Sequence, residues 1–275
     1  MEYEPYIRLT AFAGVFAIMA AWELAAPRRF QPKHKGKRWF ANIALVVIDT
    51  ALVRLIFPFA AVVMAEIAHA RGWGLLNLVT IPNWLSFLIA FVALDAIIYA
   101  QHVLFHYVPF FWRFHRVHHS DIAFDVSTGL RFHPGEIIVS MCIKFVAIAV
   151  LGPPAIAVLV FEVVLNATSM FNHSNVRMPV PLDRVIRLLL VTPDMHRVHH
   201  SVLNTETNSN FGFNLPWWDR IFGTYTPQPR DGHRDMVIGL SRFRDAKDQS
   251  LPALLIMPAK SIARDPRADT TNSHE

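Results

Sequence analysis

Apolar stretches about 20 residues long recur along this chain, and that length matches a bilayer core about 30 Å thick. One runs from about Leu9 to Ala26 and ends at Pro27. A second runs from about Ile43 to Ala65 and carries Asp49 and Arg54, which must face protein or reach an interface. A third runs from about Leu85 to Phe105 and stops near Pro109. The fourth, Ile137 to Phe171, is too long for one crossing, and Gly152-Pro153-Pro154 divides it into the two arms of a short helical hairpin. Composition agrees: 53% of the 275 residues are hydrophobic and 17% charged, against about 25% charged in ordinary soluble domains. The expected fold class is all-α, an integral membrane helical bundle of about three spans plus the hairpin, with a histidine-rich cap.

One domain is expected over residues 1–261, with spans near 9–26, 43–65 and 85–105 and the hairpin at 137–171. Its cap would be built from 102–136 and 172–240, with an interfacial edge at Trp217, Trp218 and Phe222. Residues 262–275 have nothing to bury and read as a disordered tail. The start, Met-Glu-Tyr-Glu-Pro, lacks a positive leader, so the first apolar stretch is expected to be retained.

The net charge is +5, and six cations fall between Arg28 and Arg38 with no acid among them. The run directly follows an apolar stretch, which favours a membrane flank over a nucleic-acid contact, and no nucleic-acid partner is expected. By the positive-inside rule it is cytoplasmic. The N-terminus then faces the opposite side, while the cap and C-terminus are cytoplasmic. Both histidine-rich stretches, 102–119 and 196–200, share that side. The lone cysteine, Cys142, excludes an internal disulfide and any cysteine-based cluster.

Eight of the fourteen histidines form three clusters: His102 and His106; His115, His118 and His119; His196, His199 and His200. Positions i, i+3 and i+4 share a helix face, so each cluster can aim its imidazoles at one point. Neutral imidazole suits iron, zinc, copper and nickel. Phe114-His115-Arg116-Val117-His118-His119-Ser120 matches Met195-His196-Arg197-Val198-His199-His200-Ser201 at six of seven positions. Two matching sets suggest two metal positions, each served by one cluster. His173 follows the hairpin and is a further candidate ligand. Asp95, Tyr99, His102 and His106 share one helical face. Metal-bound histidines usually donate their second ring nitrogen to an acceptor, so Asp95 is a candidate partner of His102, with pairing to Arg54 as the bland alternative. His133 and Asp194 are further candidates to orient ligands. His34, His69, His233 and His274 lie outside any cluster.

There is no His-Glu-x-x-His for a zinc protease, no dinucleotide or P-loop glycine motif, and no nucleophile motif. Two other readings remain. A zinc-dependent lipid hydrolase would need a carboxylate base such as Glu136, Asp194 or Glu206. A metal transporter would place its ligands along the spans, whereas these cluster at or beyond span ends.

The order His-x3-His, His-x2-His-His, His-x2-His-His on a membrane chain resembles the fatty acid hydroxylase / sterol desaturase superfamily. The likeness runs from about Asp95 to Tyr225 and includes Trp112-Arg113-Phe114-His115, Arg131 to Glu136, Asn172-His173-Ser174-Asn175, Thr192-Pro193-Asp194-Met195-His196, Asn210-Phe211-Gly212 and Trp218 to Tyr225. Gln101 stands where an aromatic is common. The resemblance implies a membrane oxidoreductase whose bridged di-iron centre activates O2 to hydroxylate, desaturate or cleave lipids at unactivated C–H bonds. Carried over by motif, the ligands are His102, His106, His115, His118, His119, His173, His196, His199 and His200. Two irons per chain are implied, with zinc able to replace them at imidazole sites. No flavin, haem or iron–sulfur motif is visible, so electrons are expected from an external ferredoxin, rubredoxin or cytochrome. Substrate candidates are sterol or hopanoid, fatty acyl chain, ether lipid and carotenoid.

Overall fold

The apolar stretches form helices, and proline and glycine decide where each one stops. The structure, a computed structural model, describes residues 3–30 and 35–261. The tail expected at 262–275 lies outside the described residues, as do His34 and His274. Among the described residues there are helices and two isolated bridges but no strand, as the all-α expectation requires. Five helical stretches among the described residues are long and apolar enough to cross a membrane.

The first helix, α1, is Glu4–Ala25 and starts before the expected Leu9. Its early charges are neutralised inside the bundle: Arg8 pairs with Glu4 one turn away and with Glu162, which also pairs with Lys144. The span expected at 43–65 is two helices, α2 (Lys35–Ile56) and α3 (Ala61–Ala70). Pro58 has no N–H and its ring clashes with the preceding turn, so a continuous helix is interrupted there.

The start of α2 lies inside the basic run because its first turns are tied to the cap. Arg38 pairs with Asp121 at 2.7 Å and also with Asp125, and Asn42 donates to Ser127 at 3.0 Å. Arg28 pairs with Asp194 at 2.9 Å, and Arg29 donates to the His233 and Met236 carbonyls at 2.7 and 2.6 Å. Arg28, Arg29 and Arg38 of the basic run thus join the spans to the cap.

Helix α4 is Asn83–Tyr107, and α5, Pro109–His119, follows it after a break at Val108. The hairpin arms are α6 (Pro134–Leu151) and α7 (Ala155–Asn172), each 18 residues. At 1.5 Å per residue each is about 27 Å long, close to a hydrocarbon core of about 30 Å. Both arms are thus long enough to cross, which extends the short hairpin expected. Ala61, Val62 and Ala65 of α3 pack with Leu94 of α4, Ile148 of α6 and Phe161 of α7. Small side chains let the helix backbones approach closely. The C-terminal ends of α1, α4 and α7 and the N-terminal ends of α2 and α6 meet the cap. The tip of the hairpin lies at the other end, against the loop after α3.

That far-end contact is backbone on backbone. Gly152 turns the hairpin at φ 65°, and a Cβ on Gly74, at φ 92°, would lie 2.2 Å from the Gly152 nitrogen. Gly74→Ala should therefore destabilise the detergent-solubilised protein by about 1–3 kcal/mol. Gly14→Ala, in α1 with nothing within 4 Å of the added Cβ, should be neutral or slightly stabilising. Equal thermal midpoints for the two variants would contradict the packing described.

Candidate metal centre

Local sequence brings four histidine-bearing elements to one end of the bundle. Pro109 disfavours helical backbone at Val108, so α4 ends and α5 begins in a new direction. Helix α8 (Val180–Ile186) leads to α9 (Pro193–His199), whose start has Pro193 at the first position and Thr192 accepting from the Met195 N–H at 3.3 Å. His173 directly follows α7, and His200 directly follows α9.

All nine expected ligands converge, in two sets. His102, His106, His115, His119 and His199 form one; His118, His173, His196 and His200 form the other; within each, the candidate ligand atoms lie within 4.8 Å of one another. The expectation that each repeat serves its own position is corrected. In each repeat the i, i+4 pair enters one set and the i+3 residue crosses to the other: His115 and His119 against His118, and His196 and His200 against His199. The i+3 side chain leaves the helix at a different angle from the i, i+4 pair, which lets it reach across.

Ring-nitrogen distances fit metal ligation. Nε2–Nε2 separations are 3.1 Å for His102–His115 and His106–His119, and 3.0 Å for His118–His173 and His173–His196. Two imidazoles at right angles on a metal, each bonded at about 2.1 Å, stand about 3.0 Å apart. Six rings donate their other nitrogen to a defined acceptor. Nδ1 of His102 donates to the Phe211 carbonyl (2.8 Å), of His106 to the Asn208 side chain (3.2 Å), and of His115 to Glu136 (2.7 Å). Nδ1 of His118 donates to the Arg131 carbonyl (3.2 Å), of His173 to Ser169 (2.8 Å), and of His199 to Ser209 (2.7 Å). A neutral imidazole carries one N–H, so these rings present lone pairs at Nε2. In the pairs His102–His115 and His118–His173 both lone pairs face each other, an arrangement that a cation between them stabilises.

The rings are held neutral. Burial pushes His115 and His173 down to about 3. Burial and the charges of neighbouring imidazoles push His118, His119, His196, His199 and His200 well below their ordinary range. Among the described residues, buried His200 has no hydrogen-bond partner at either nitrogen, as expected of a ring whose partner is an ion. Aromatic side chains line the sets: Trp112 and Phe211 beside His106, and Phe132 stacked on His118 at 4.6 Å. Phe213 adjoins both sets, with its centroid 6.0 Å from His102, 6.1 Å from His196 and 6.3 Å from His173.

The three orienting candidates serve other ends. Asp95 accepts from Trp218 Nε1 at 2.8 Å and Leu215 N at 3.3 Å, and among the described residues no ion pair joins it to Arg54. It does share a helix face with His102, but seven residues of helix put it about 10 Å away along the axis. His133 caps α6 by accepting from Gly135 N at 3.0 Å and donates to the Leu255 carbonyl at 3.1 Å. Asp194 pairs with Arg28 and Arg197, fixing the start of α9. Sequence reasoning missed Glu136 and Asn208 as acceptors. Glu136 is the third residue of α6, in a string already singled out; Asn208 carries no local signal. Of the carboxylates considered as a general base, Glu136 is engaged by His115 and Glu206 accepts from Arg230 N.

The sequence model of the fatty acid hydroxylase family matches residues 87–224, half of the chain and all nine candidate histidine ligands. The chain belongs to the fatty acid hydroxylase family. Ornithine lipid hydroxylase OlsE of Rhizobium tropici is 29% identical over 241 residues, covering 82% of this chain and 69% of that protein. Alkylglycerol monooxygenase of Danio rerio is 31% identical over 140 residues, covering 51% of this chain and 30% of that protein. Cholesterol 25-hydroxylase of Rattus norvegicus is 27% identical over 143 residues, covering 52% and 47%. The chain thus spans less than half the length of the last two. No solved structure gives a match. This member of the family is an integral, multi-pass membrane oxidoreductase that acts on lipid.

The crossing of the repeats is testable by metal analysis. His118→Ala with His196→Ala removes two ligands from the four-histidine set and should leave one metal per chain. His115→Ala with His118→Ala takes one ligand from each set and should weaken both. One fully occupied metal in the second double variant would mean that each repeat serves its own position.

Proposed function

We propose that this chain is a membrane-bound di-iron enzyme that uses O2 to hydroxylate a polar membrane lipid at an unactivated C–H bond. The observation that carries this reading is the pair of nitrogen-only ligand sets of five and four imidazoles, buried apart from the half-buried His106, at the end of an apolar bundle. Such a C–H bond offers no acidic proton or leaving group to a side chain. The iron pair, when bound, supplies the O2-derived oxidant that this chemistry needs.

The residues of the chain set the conditions. His102, His106, His115, His119 and His199 would hold one iron, and His118, His173, His196 and His200 the other. The Nδ1 hydrogen bonds fix six tautomers, so Nε2 lone pairs are ready without rotation. The aromatic walls exclude water from the reacting volume and limit wasteful side reactions. Phe213, adjoining both sets, would lie against the substrate.

Hydroxylation is preferred to desaturation because the relatives named are hydroxylases and monooxygenases. The likeness to the ornithine lipid hydroxylase extends over most of this chain, which makes an amino-acid-headed lipid the first substrate to examine. No flavin, haem or iron–sulfur motif is visible in the sequence, so an external ferredoxin, rubredoxin or cytochrome would deliver electrons. The cap and C-terminus would be cytoplasmic, with the N-terminus opposite.

Mass spectrometry of host lipids with the gene, without it, and with His118→Ala tests the assignment. One lipid class should carry one added oxygen atom with the intact gene and none in the other two strains. Loss of two hydrogens would move the reading to desaturation. A hydrolysed lipid formed without O2 would overturn it in favour of a zinc hydrolase.

A further inference from the structure

Helix α8 is built inside-out for a helix in water. Its polar pair, Asp183 and Arg187, is buried at 2.6 Å, and Arg187 also donates to the Pro227 carbonyl at 2.8 Å. Its apolar residues face outward: Val180 is 57% exposed and Val185 64%. The apolar face continues through Leu188 and Leu189, which are 59% and 62% exposed. Beyond α10 (Asn204–Thr207), it joins α11 (Trp217–Ile221) through the Trp217 indole donating to the Leu188 carbonyl at 2.8 Å. Ile221 and Phe222 extend the same outward apolar surface at 66% and 64%. Scattered exposed apolar residues are ordinary, but a contiguous apolar patch, here interrupted only by the exposed Arg184 and Arg220, marks an apolar surrounding.

Attachment points place this surface at membrane depth. Trp218 and Leu215 bind Asp95 of α4, the Tyr99 hydroxyl lies 2.9 Å from the Thr224 hydroxyl, and the Phe222 ring stacks on Tyr99 at 5.5 Å. A hydrocarbon core of about 30 Å takes about 20 residues of helix. Begun at the exposed Trp84, it reaches about Leu104. Asp95 and Tyr99 then lie about 8–14 Å inside the boundary nearest the cap. The outer face of the α8–α11 unit is therefore continuous with the lipid-facing surface of α4.

The inner edge of this unit leads to the metal centre. From Trp218 and Leu215 on Asp95 the chain runs to Phe213, whose carbonyl accepts from Asn172 at 3.0 Å and whose ring adjoins both histidine sets. Leu215 and Phe213 are partly exposed, whereas Phe211, Gly212 and Asn214 beside them are buried.

We propose that the outer face formed by α8 with Leu188 and Leu189 and by α11, residues 180–190 and 217–222, is immersed in the bilayer leaflet beside the metal centre, where acyl chains contact it and reach the metal centre past Leu215 and Phe213. The immersion stands on geometry alone; the role of the path as substrate access rests on the lipid hydroxylase reading above.

The test is quenching by bromine-labelled acyl chains, which needs no turnover and so fails or succeeds apart from that reading. Single cysteines replace Leu189, Ile221, Leu215 or the cap residue Lys247 in a Cys142→Ser background, and each is labelled with bimane. The full chain is reconstituted in phosphatidylcholine vesicles with or without brominated acyl chains. Emission at 189 and 221 should fall by about half or more in brominated vesicles, emission at 215 should fall measurably, and emission at 247 should not change. Quenching at 189 and 221 no greater than at 247 would overturn immersion, whether water or a second copy of the chain covers the patch. Quenching at 189 and 221 with none at 215 would overturn the path to the metals.

Discussion

Facing lone pairs on buried imidazoles are the constraint on which the rest of this structure depends. His102 and His115, and likewise His118 and His173, present unprotonated Nε2 atoms to one another at 3.1 and 3.0 Å. Their protons are committed elsewhere, to Phe211, Glu136, Arg131 and Ser169. Protonating a ring to bridge such a pair would put a charge into a buried site, and that costs more than a hydrogen bond returns. A bound cation resolves both problems. The loops that supply the acceptors are in turn held by buried ties, such as Arg131 donating to the Val117 carbonyl and Asp219 accepting from the N–H groups of Phe211 and Gly212.

The membrane bundle serves as the frame for that arrangement. Helices α4 and α7 end where their histidines are required, and the cap is fastened to the bundle by ion pairs from the basic run. Buried pairs such as Arg38 with Asp121 and Asp125 add little net stability, because desolvation offsets attraction, but removing one partner leaves an uncompensated charge. Their position suits a role in fixing where the cap sits rather than in adding stability.

Local spacing made much of the site legible. The i, i+3, i+4 clusters singled out eight imidazoles, and the hairpin's end singled out His173. The crossing between repeats was not legible, because it depends on how α5 and α9 are set against each other, which no local spacing encodes. Asp95 was misassigned for a similar reason: the helical face was right, but axial distance put it beside Trp218 rather than a ligand. Helix ends were displaced where tertiary partners changed the cost of a charge. Arg8 is tolerated in α1 because Glu4 and Glu162 meet it, and Arg38 is drawn into the cap by aspartates more than eighty residues away. The break at Pro58 lies inside an apolar stretch, so hydrophobicity alone runs α2 and α3 together.

The central claim is that two neighbouring irons are held by histidine nitrogen alone. X-ray absorption at the iron edge of the purified, iron-loaded protein tests this most directly. The account predicts a first coordination layer of nitrogen and oxygen with the multiple scattering of imidazole, no sulfur, and an iron–iron vector in the outer layers. A single isolated iron, or ligation lacking the imidazole signature, would contradict it.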